Sequence, residues 1–338
     1  EEARFAKARQ VDPEAYALYL QGMSHWYKLT PPDLDAAQKY FESALKKDPN
    51  YALAYLGMSS VFRGRAQMGL APLQELRSEA RRYLLKAMEL DNSSAEAHFA
   101  MASLKTWHEW DWAGAEASFR RAIELNPNYA MARVFYSNLL ALLDRPEEAV
   151  EQGRRALESD PINPIIKGIY CLTLGNLGRY DEAIIQARSL LKASPDNPSA
   201  HSILWEGLHL KGELDEALEE AKAVYTHIGL DSVVESMSVG YETGGYSGAV
   251  RAGAEALIAL LPEGYSLPLD IANFYAMAGD KDRTVEWLEK GYEIRDPNMP
   301  YFGGEGIVKS LLRDDPRYQD LLRRMNLPIG DRKSDQAP

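Results

Sequence analysis

Three prolines set the frame for this chain. Pro127, Pro161 and Pro195 follow one another at intervals of 34 residues. Each closes a stretch of similar type: Leu-Asn-Pro, Ser-Asp-Pro and Ala-Ser-Pro. The series continues upstream through Asn92 and Pro49, at intervals of 35 and 43, and downstream to Gly229, again at 34. A fixed period of this length means that one supersecondary unit recurs. Such a unit cannot bury its apolar face alone, so the chain must stack its units into an array.

Other positions recur in phase with these stops. Twelve residues before each lies Ala37, Ala80, Ala115, Ala149, Ala183 or Ala217. Eight before lies Phe41, Leu84, Phe119, Gly153, Ala187 or Ala221, and five before lies Ala44, Ala87, Ala122, Ala156, Leu190 or Val224. Separations of three and four residues mark one face of a helix. An alanine at fixed phase marks a close helix–helix approach, where a larger side chain would overpack by about 1–3 kcal/mol. A second helix precedes each of these, as at 130–143. The turn between the two is Asp-Arg-Pro-Glu-Glu in the fourth unit, Gly178-Arg-Tyr-Asp-Glu in the fifth and Gly212-Glu-Leu-Asp-Glu in the sixth. Glycine ends one helix and acidic residues open the next, as the two helix ends prefer.

On these residues the chain resembles the tetratricopeptide repeat family over roughly 13–297. The family pattern of a large residue, Leu-Gly, Tyr, Ala, Phe, Ala and Pro falls on the same phases. Departures are the replacement of Leu-Gly by Tyr136-Ser137, Tyr170-Cys171 and Leu204-Trp205, a glycine-rich seventh unit, and Thr284 at an alanine position. The resemblance implies an all-α, right-handed superhelical solenoid of about eight helix-turn-helix repeats. They fall at 15–50, 52–93, 95–128, 130–162, 164–196, 198–230, 232–259 and 265–297. Leu311, Leu312, Tyr318, Leu321, Leu322 and Met325 form an apolar stripe that predicts a capping helical segment over 308–326, with a mobile tail at 329–338. Four stretches carry a narrower resemblance: those beginning Val11-Asp-Pro-Glu-Ala-Tyr, Trp110-Asp-Trp-Ala-Gly, Asp280-Lys-Asp-Arg-Thr-Val and Asp315-Pro-Arg-Tyr-Gln-Asp. They are similar to the C-terminal repeat regions of bacterial winged-helix, kinase or cyclase regulators with TolB-like domains. The start at Glu-Glu-Ala-Arg reads as a processed chain or an excised fragment.

Charge narrows the partners. With 38 Lys and Arg against 50 Asp and Glu, the net charge is −12, which disfavours nucleic acid and anionic membrane surfaces. No apolar run approaches the length of about 18 residues that spans a bilayer. Cys171 stands alone, so neither an internal disulfide nor a thiolate zinc site is available. The compartment stays open between cytoplasm and periplasm. His108-Glu109 opens like a zinc-protease motif, but Trp112 stands where the second histidine belongs. The six histidines show no metal spacing, so no metal and no cofactor are expected. Cys171 reads as a buried thiol, Asp111 as a helix N-cap, and His98 and His201 as packing residues at one repeat phase.

The resemblance places the first helix of each repeat on the concave wall. Tyr19, Leu56, Phe99, Val134, Gly168 and Ser202 stand at one inner phase. Met23, Ser60, Ser103, Asn138, Leu172 and Glu206 stand at the next, and Trp26, Tyr27, Arg63, Trp107, Asn176 and His209 near the helix end. The repeated Lys and Asn with which relatives clamp a terminal carboxylate are missing. Insertions of three, nine and one residues fall in the turns of the first three repeats. They predict a rim that gathers Trp26, Tyr27, Arg63, Arg65, Met68, Trp107 and Trp110, residue types enriched at interface hot spots. The sequence thus points to a non-enzymatic scaffold binding a protein or peptide in an aromatic groove. Alternatives are a small-molecule sensor closing around its ligand, and more remotely a helical hydrolase using Glu109 and Glu206.

Overall fold

The computed structural model describes residues 11–261 and 268–329. The expected tail beyond 329 and the opening of the eighth repeat at 265–267 lie outside the described residues. Among the described residues the chain is all-helical, with no strand. The first repeat pairs α1 (Pro13–Trp26) with α2 (Pro31–Lys47). The next five pair α3 (Ala52–Gln67) with α4 (Leu73–Leu90), α5 (Ala95–Leu104) with α6 (Trp112–Leu125), α7 (Ala130–Leu142) with α8 (Pro146–Ser159), α9 (Pro164–Asn176) with α10 (Tyr180–Ala193), and α11 (Pro198–Lys211) with α12 (Leu214–His227). The helix α13 (Asp231–Ala259) supplies both halves of the seventh, bent at Gly244 and Gly245. The last pair is α14 (Pro268–Met277) and α15 (Lys281–Ile294). A 3-10 turn (Met299–Gly303) and two short helices, α16 (Ile307–Leu312) and α17 (Pro316–Arg324), follow.

The helices start where the sequence offers an oxygen for their free N–H groups. Asp12, Thr30, Ser94, Asp111, Asn163, Asn197, Asp280 and Asp315 each accept from a backbone N–H of the first turn. Asp111 takes the Gly114 N–H at 3.0 Å. The turn after the first helix repeats one backbone feature. Trp110, Asp144, Gly178 and Gly212, spaced by 34, all adopt positive φ. Glycine does this freely, which explains the fifth and sixth repeats. A second feature recurs at four of the six stops. Tyr55, His98, Arg133 and His201 each bond through the side chain to the carbonyl six residues earlier, at Pro49, Asn92, Pro127 and Pro195. The phase is fixed while the residue varies, because any side chain with a reaching polar atom serves.

All six alanines twelve residues before the stops are fully buried. The close approach they permit is clearest around Phe41. Its ring lies between Gly22 of α1 and Gly57 of α3. A Cβ on either glycine would come within 2.5 Å or 2.7 Å of ring carbons. The ring cannot retreat from one glycine without striking the other.

The third repeat shows how one extra residue is absorbed. Its first helix runs from 95 to the left-handed Trp110, where the fourth runs from 130 to Asp144. The additional residue goes into a single π-helical turn, Lys105–Glu109. Such turns re-aim the side chains they carry, and this one carries Trp107 and His108 to the inner face.

Gly57→Ala is expected to lower stability by about 1–3 kcal/mol, because the trapped Phe41 ring has no room to move. Urea denaturation of the variant beside the parent chain checks this.

Candidate functional site

The inner wall is built by the first helices, each of which touches the first helix of the next repeat from α1 to α11. That wall is not open. The segment after α15 crosses it and closes the array against its own early repeats. Arg77 of α4 donates to the carbonyls of Ile294 and Arg295 at the end of α15. The Arg295 guanidinium lies over Trp110 and reaches the Glu109 carbonyl at 3.3 Å. The Asn298 amide donates to the Gln67 carbonyl at 3.0 Å, across 231 residues of chain. The Trp107 indole donates to the Tyr301 hydroxyl at 3.0 Å, and Trp112 to the Met325 carbonyl at 2.8 Å. Further round, the Glu305 N–H donates to the Asn176 carbonyl at 2.9 Å, and Tyr180 donates to the Glu305 carbonyl. The nine-residue insertion, about 63–73, supplies one of these anchors, Gln67, and Arg77 follows in the first turns of α4.

A cavity of about 410 Å³ remains between the wall and this segment. Its middle is apolar, lined by Phe99, Trp107, Phe135, Ile165, Ile169, Leu172 and Ile203, with Phe302, Ile307 and Val308 opposite. Its polar lining is divided by charge. On one side stand Arg63 and His108, from α3 and the π turn. Burial, with Arg63 and Arg77 nearby, pushes the His108 imidazole down to about 3, so it is neutral at physiological pH. Burial also lowers Arg63, to about 10. From α11 and α14 come Glu206 and Asp270, both raised to about 7 by burial, Asp270 also by Asp296. Glu206 accepts from the Ile307 N–H at 3.4 Å.

Ten of the residues singled out in the sequence for the wall line this cavity: Trp26, Ser60, Arg63, Phe99, Ser103, Trp107, Leu172, Asn176, Ser202 and Glu206. The others are placed elsewhere. Tyr19 packs edge-on against Tyr51, Met23 and Met68 pack around Phe41 and Met58, and Leu56 joins Leu84 between the second and third repeats. Arg65 turns to α2, bonding Gln38 and Asp35 at 2.6 Å each. Tyr27 is exposed against the edge of Trp26, and Trp110 stacks on Tyr292. Asn138 is fully buried away from the cavity, and its amide has no partner among the described residues. His209 meets the Tyr246 hydroxyl at 3.0 Å. Val134 and Gly168 are buried between helices. The single rim predicted from the insertions is therefore corrected. Trp26, Arg63 and Trp107 converge, while Arg65 and Met68 turn away and Trp110 serves the closure.

Sequence reasoning missed Asp270, Asn273, Asn298 and Tyr301 and weighed His108 only as part of an incomplete zinc motif, and all five line the cavity. The one-residue insertion was the available signal for His108. Nothing periodic marks the residues after α15. Glu109 and Glu206 do not share the cavity, since Glu109 pairs with Arg81 instead. Cys171 is buried and its thiol is pushed up to about 12. Among the described residues no group of three His, Cys, Asp or Glu could hold a metal, and no helix is long and apolar enough to cross a membrane.

Residues 111–164 and 172–229 match the tetratricopeptide repeat family. These two segments carry tetratricopeptide repeats. They make up about a third of the chain. No curated protein matches the sequence. Among solved structures the chain is similar to yeast Tom70, at 17% identity over 94% of this chain and 69% of that one, with a TM-score of 0.48. It is also similar to TTC0263, a thermophilic tetratricopeptide-repeat protein of Thermus thermophilus (20% identity, 62% and 98% coverage, TM-score 0.43). A third is pilF of Pseudomonas aeruginosa (18%, 78% and 97%, 0.40). At these scores none carries a role over to this chain.

Two outcomes test this site. A Cβ on Gly304 would lie 2.6 Å from the Asn176 amide oxygen. Gly304→Val is thus expected to lift the segment, seen as faster amide exchange at Glu305 and a larger radius of gyration by small-angle scattering. The second concerns pH. Unfolded Glu206 loses its proton near the ordinary 4.5, but the folded residue keeps it to about 7. The unfolded chain binds fewer protons in that window, so stability falls as pH rises through it. Asp270 acts with the same sign. Glu206→Gln is expected to remove part of this slope, making the variant the more stable chain at alkaline pH but not at acid pH, by urea denaturation.

Proposed function

We propose that the chain is a protein-interaction scaffold whose recognition surface is the inner wall of its repeats. One observation carries the reading. The wall already holds the segment 299–307, a 3-10 turn and the short link into α16, by hydrogen bonds donated by Trp107 and Tyr180 and accepted by the Asn176 carbonyl and Glu206. Three of these four involve the backbone of the held segment, so they are available to a peptide of any sequence. Apolar side chains between them would set the preference, as in other groove-bound peptides. On this proposal the segment after α15 is the chain's own occupant, and a partner peptide gains the wall by displacing it. The proposal extends to the setting. The stretches quoted from the sequence support a place as the recognition region of a larger bacterial regulatory protein.

A second reading is favoured by a separate observation. Between the wall and the closing segment lies a cavity with buried polar atoms that nothing satisfies among the described residues, which suits a small-molecule sensor.

A photo-crosslinking amino acid checks the scaffold reading. Placed at Leu172 on the wall it is expected to trap a partner protein in cells, whereas at Ile185, 65% exposed on α10, it is not. Equal capture at both positions, or none at 172, defeats the reading.

A further inference from the structure

Buried hydrogen-bond donors are almost always satisfied, and each exception costs about 1–3 kcal/mol. Four side chains lining the cavity break this rule. Trp26 Nε1, Arg63 Nε, His108 Nδ1 and Asn176 Nδ2 are sealed from solvent and have no hydrogen-bond partner among the described residues. His108 is only 5% exposed. Arg63 is the more telling group. Its Nη2 donates to Ser60 Oγ at 2.9 Å, and no carboxylate pairs with it among the described residues. A sequestered guanidinium without a counter-ion is costly. Arg77, its cationic neighbour, gives its Nη2 to the carbonyls that end α15.

The acidic lining comes from other sectors of the ring. Glu206 on α11 has one long bond, to the Ile307 N–H, and Asp270 on α14 faces the same space with Asn273. Between the two polar regions the lining is aromatic and aliphatic. One guanidinium against two carboxyl groups repels a multiply charged anion such as a phosphate ester. It suits a molecule that brings one carboxylate to Arg63 and one ammonium to Glu206 and Asp270. A volume of about 410 Å³ lies in the range of ordinary small-ligand sites.

We infer that the cavity is a binding site for a small zwitterion with an apolar body: a free apolar amino acid, or a di- or tripeptide with both termini free. The carboxylate takes the Arg63 guanidinium, with the Trp26 and His108 N–H groups beside it, and the ammonium takes Glu206 and Asp270. The inference rests on the sensor reading and names its ligand. Because the ligand lies between the wall and the segment after α15, it touches both sides of the closure. Ligand binding and displacement of that segment then oppose each other.

Titration calorimetry on the whole chain tests this with leucine, dileucine and trileucine. Each is paired with its C-terminal amide and its N-acetyl derivative, with inorganic phosphate and hexanoate as further probes. At least one free zwitterion is expected to bind, with amide and acetyl forms each weaker by about tenfold or more. Arg63→Gln is expected to erase the penalty for amidation, and Glu206→Gln that for acetylation. Arg65→Gln, outside the cavity, is expected to change neither. The modified ligands test the parent chain directly, so a variant that fails to fold leaves the outcome readable. Equal binding of free and blocked forms overturns the inference. Binding of phosphate or hexanoate alone overturns it while leaving the sensor reading standing. If no probe binds and no compound of a metabolite library raises the melting temperature, both fall.

Discussion

The distance between neighbouring helices governs everything else in this molecule. Phe41 lies between two glycines, and the alanines twelve residues before the six stops have no solvent exposure. Helices that touch through such small residues stack at a fixed spacing and angle. Interiors packed this closely transmit shape rather than absorb it. The curvature that brings the end of the chain back to its second repeat is the sum of those contacts.

Closure turns an open array into an enclosed one. Repeat proteins are stabilised by neighbour contacts alone, and such arrays gain length without becoming globally cooperative. Here the segment after α15 adds contacts of long sequence separation, including Asn298 with Gln67 and Trp107 with Tyr301. These couple the second and third repeats to the segment that follows the eighth. They also bury groups along the inner wall, and that burial shifts Glu206 and Asp270 upward and His108 downward from their ordinary protonation behaviour. The same enclosure that stabilises the ring leaves charged groups unsatisfied within it. That combination of strong closure and poorly satisfied interior is how functional sites commonly depart from the best local packing.

The irregularities of the repeat are where the site is made. The regular fourth and fifth repeats contribute mainly apolar wall. The nine-residue insertion brings Gln67 to the closing segment, and the single extra residue becomes the π turn that presents Trp107 and His108. An insertion in a periodic array costs little where it extends a turn. It therefore supplies chemistry without disturbing the stack.

The helices, their pairing and their buried face were legible in the sequence, because a period of 34 with alanine at fixed phase admits only one kind of packing. Half of the residues nominated for the wall also face the cavity, since inner phases follow from the same period. What the sequence could not show is which inner residues would meet a distant part of the chain. Tyr301, Asn298 and Asp270 lie outside any repeated pattern that pairs them with Trp107, Gln67 or Glu206. Arg63 and Arg65, two residues apart on one helix, necessarily face different ways, and only the curvature of the whole array decided which one is enclosed. Local periodicity fixes each helix and its neighbour; the closure depends on small rotations accumulated over eight repeats, and these become visible only in the assembled structure.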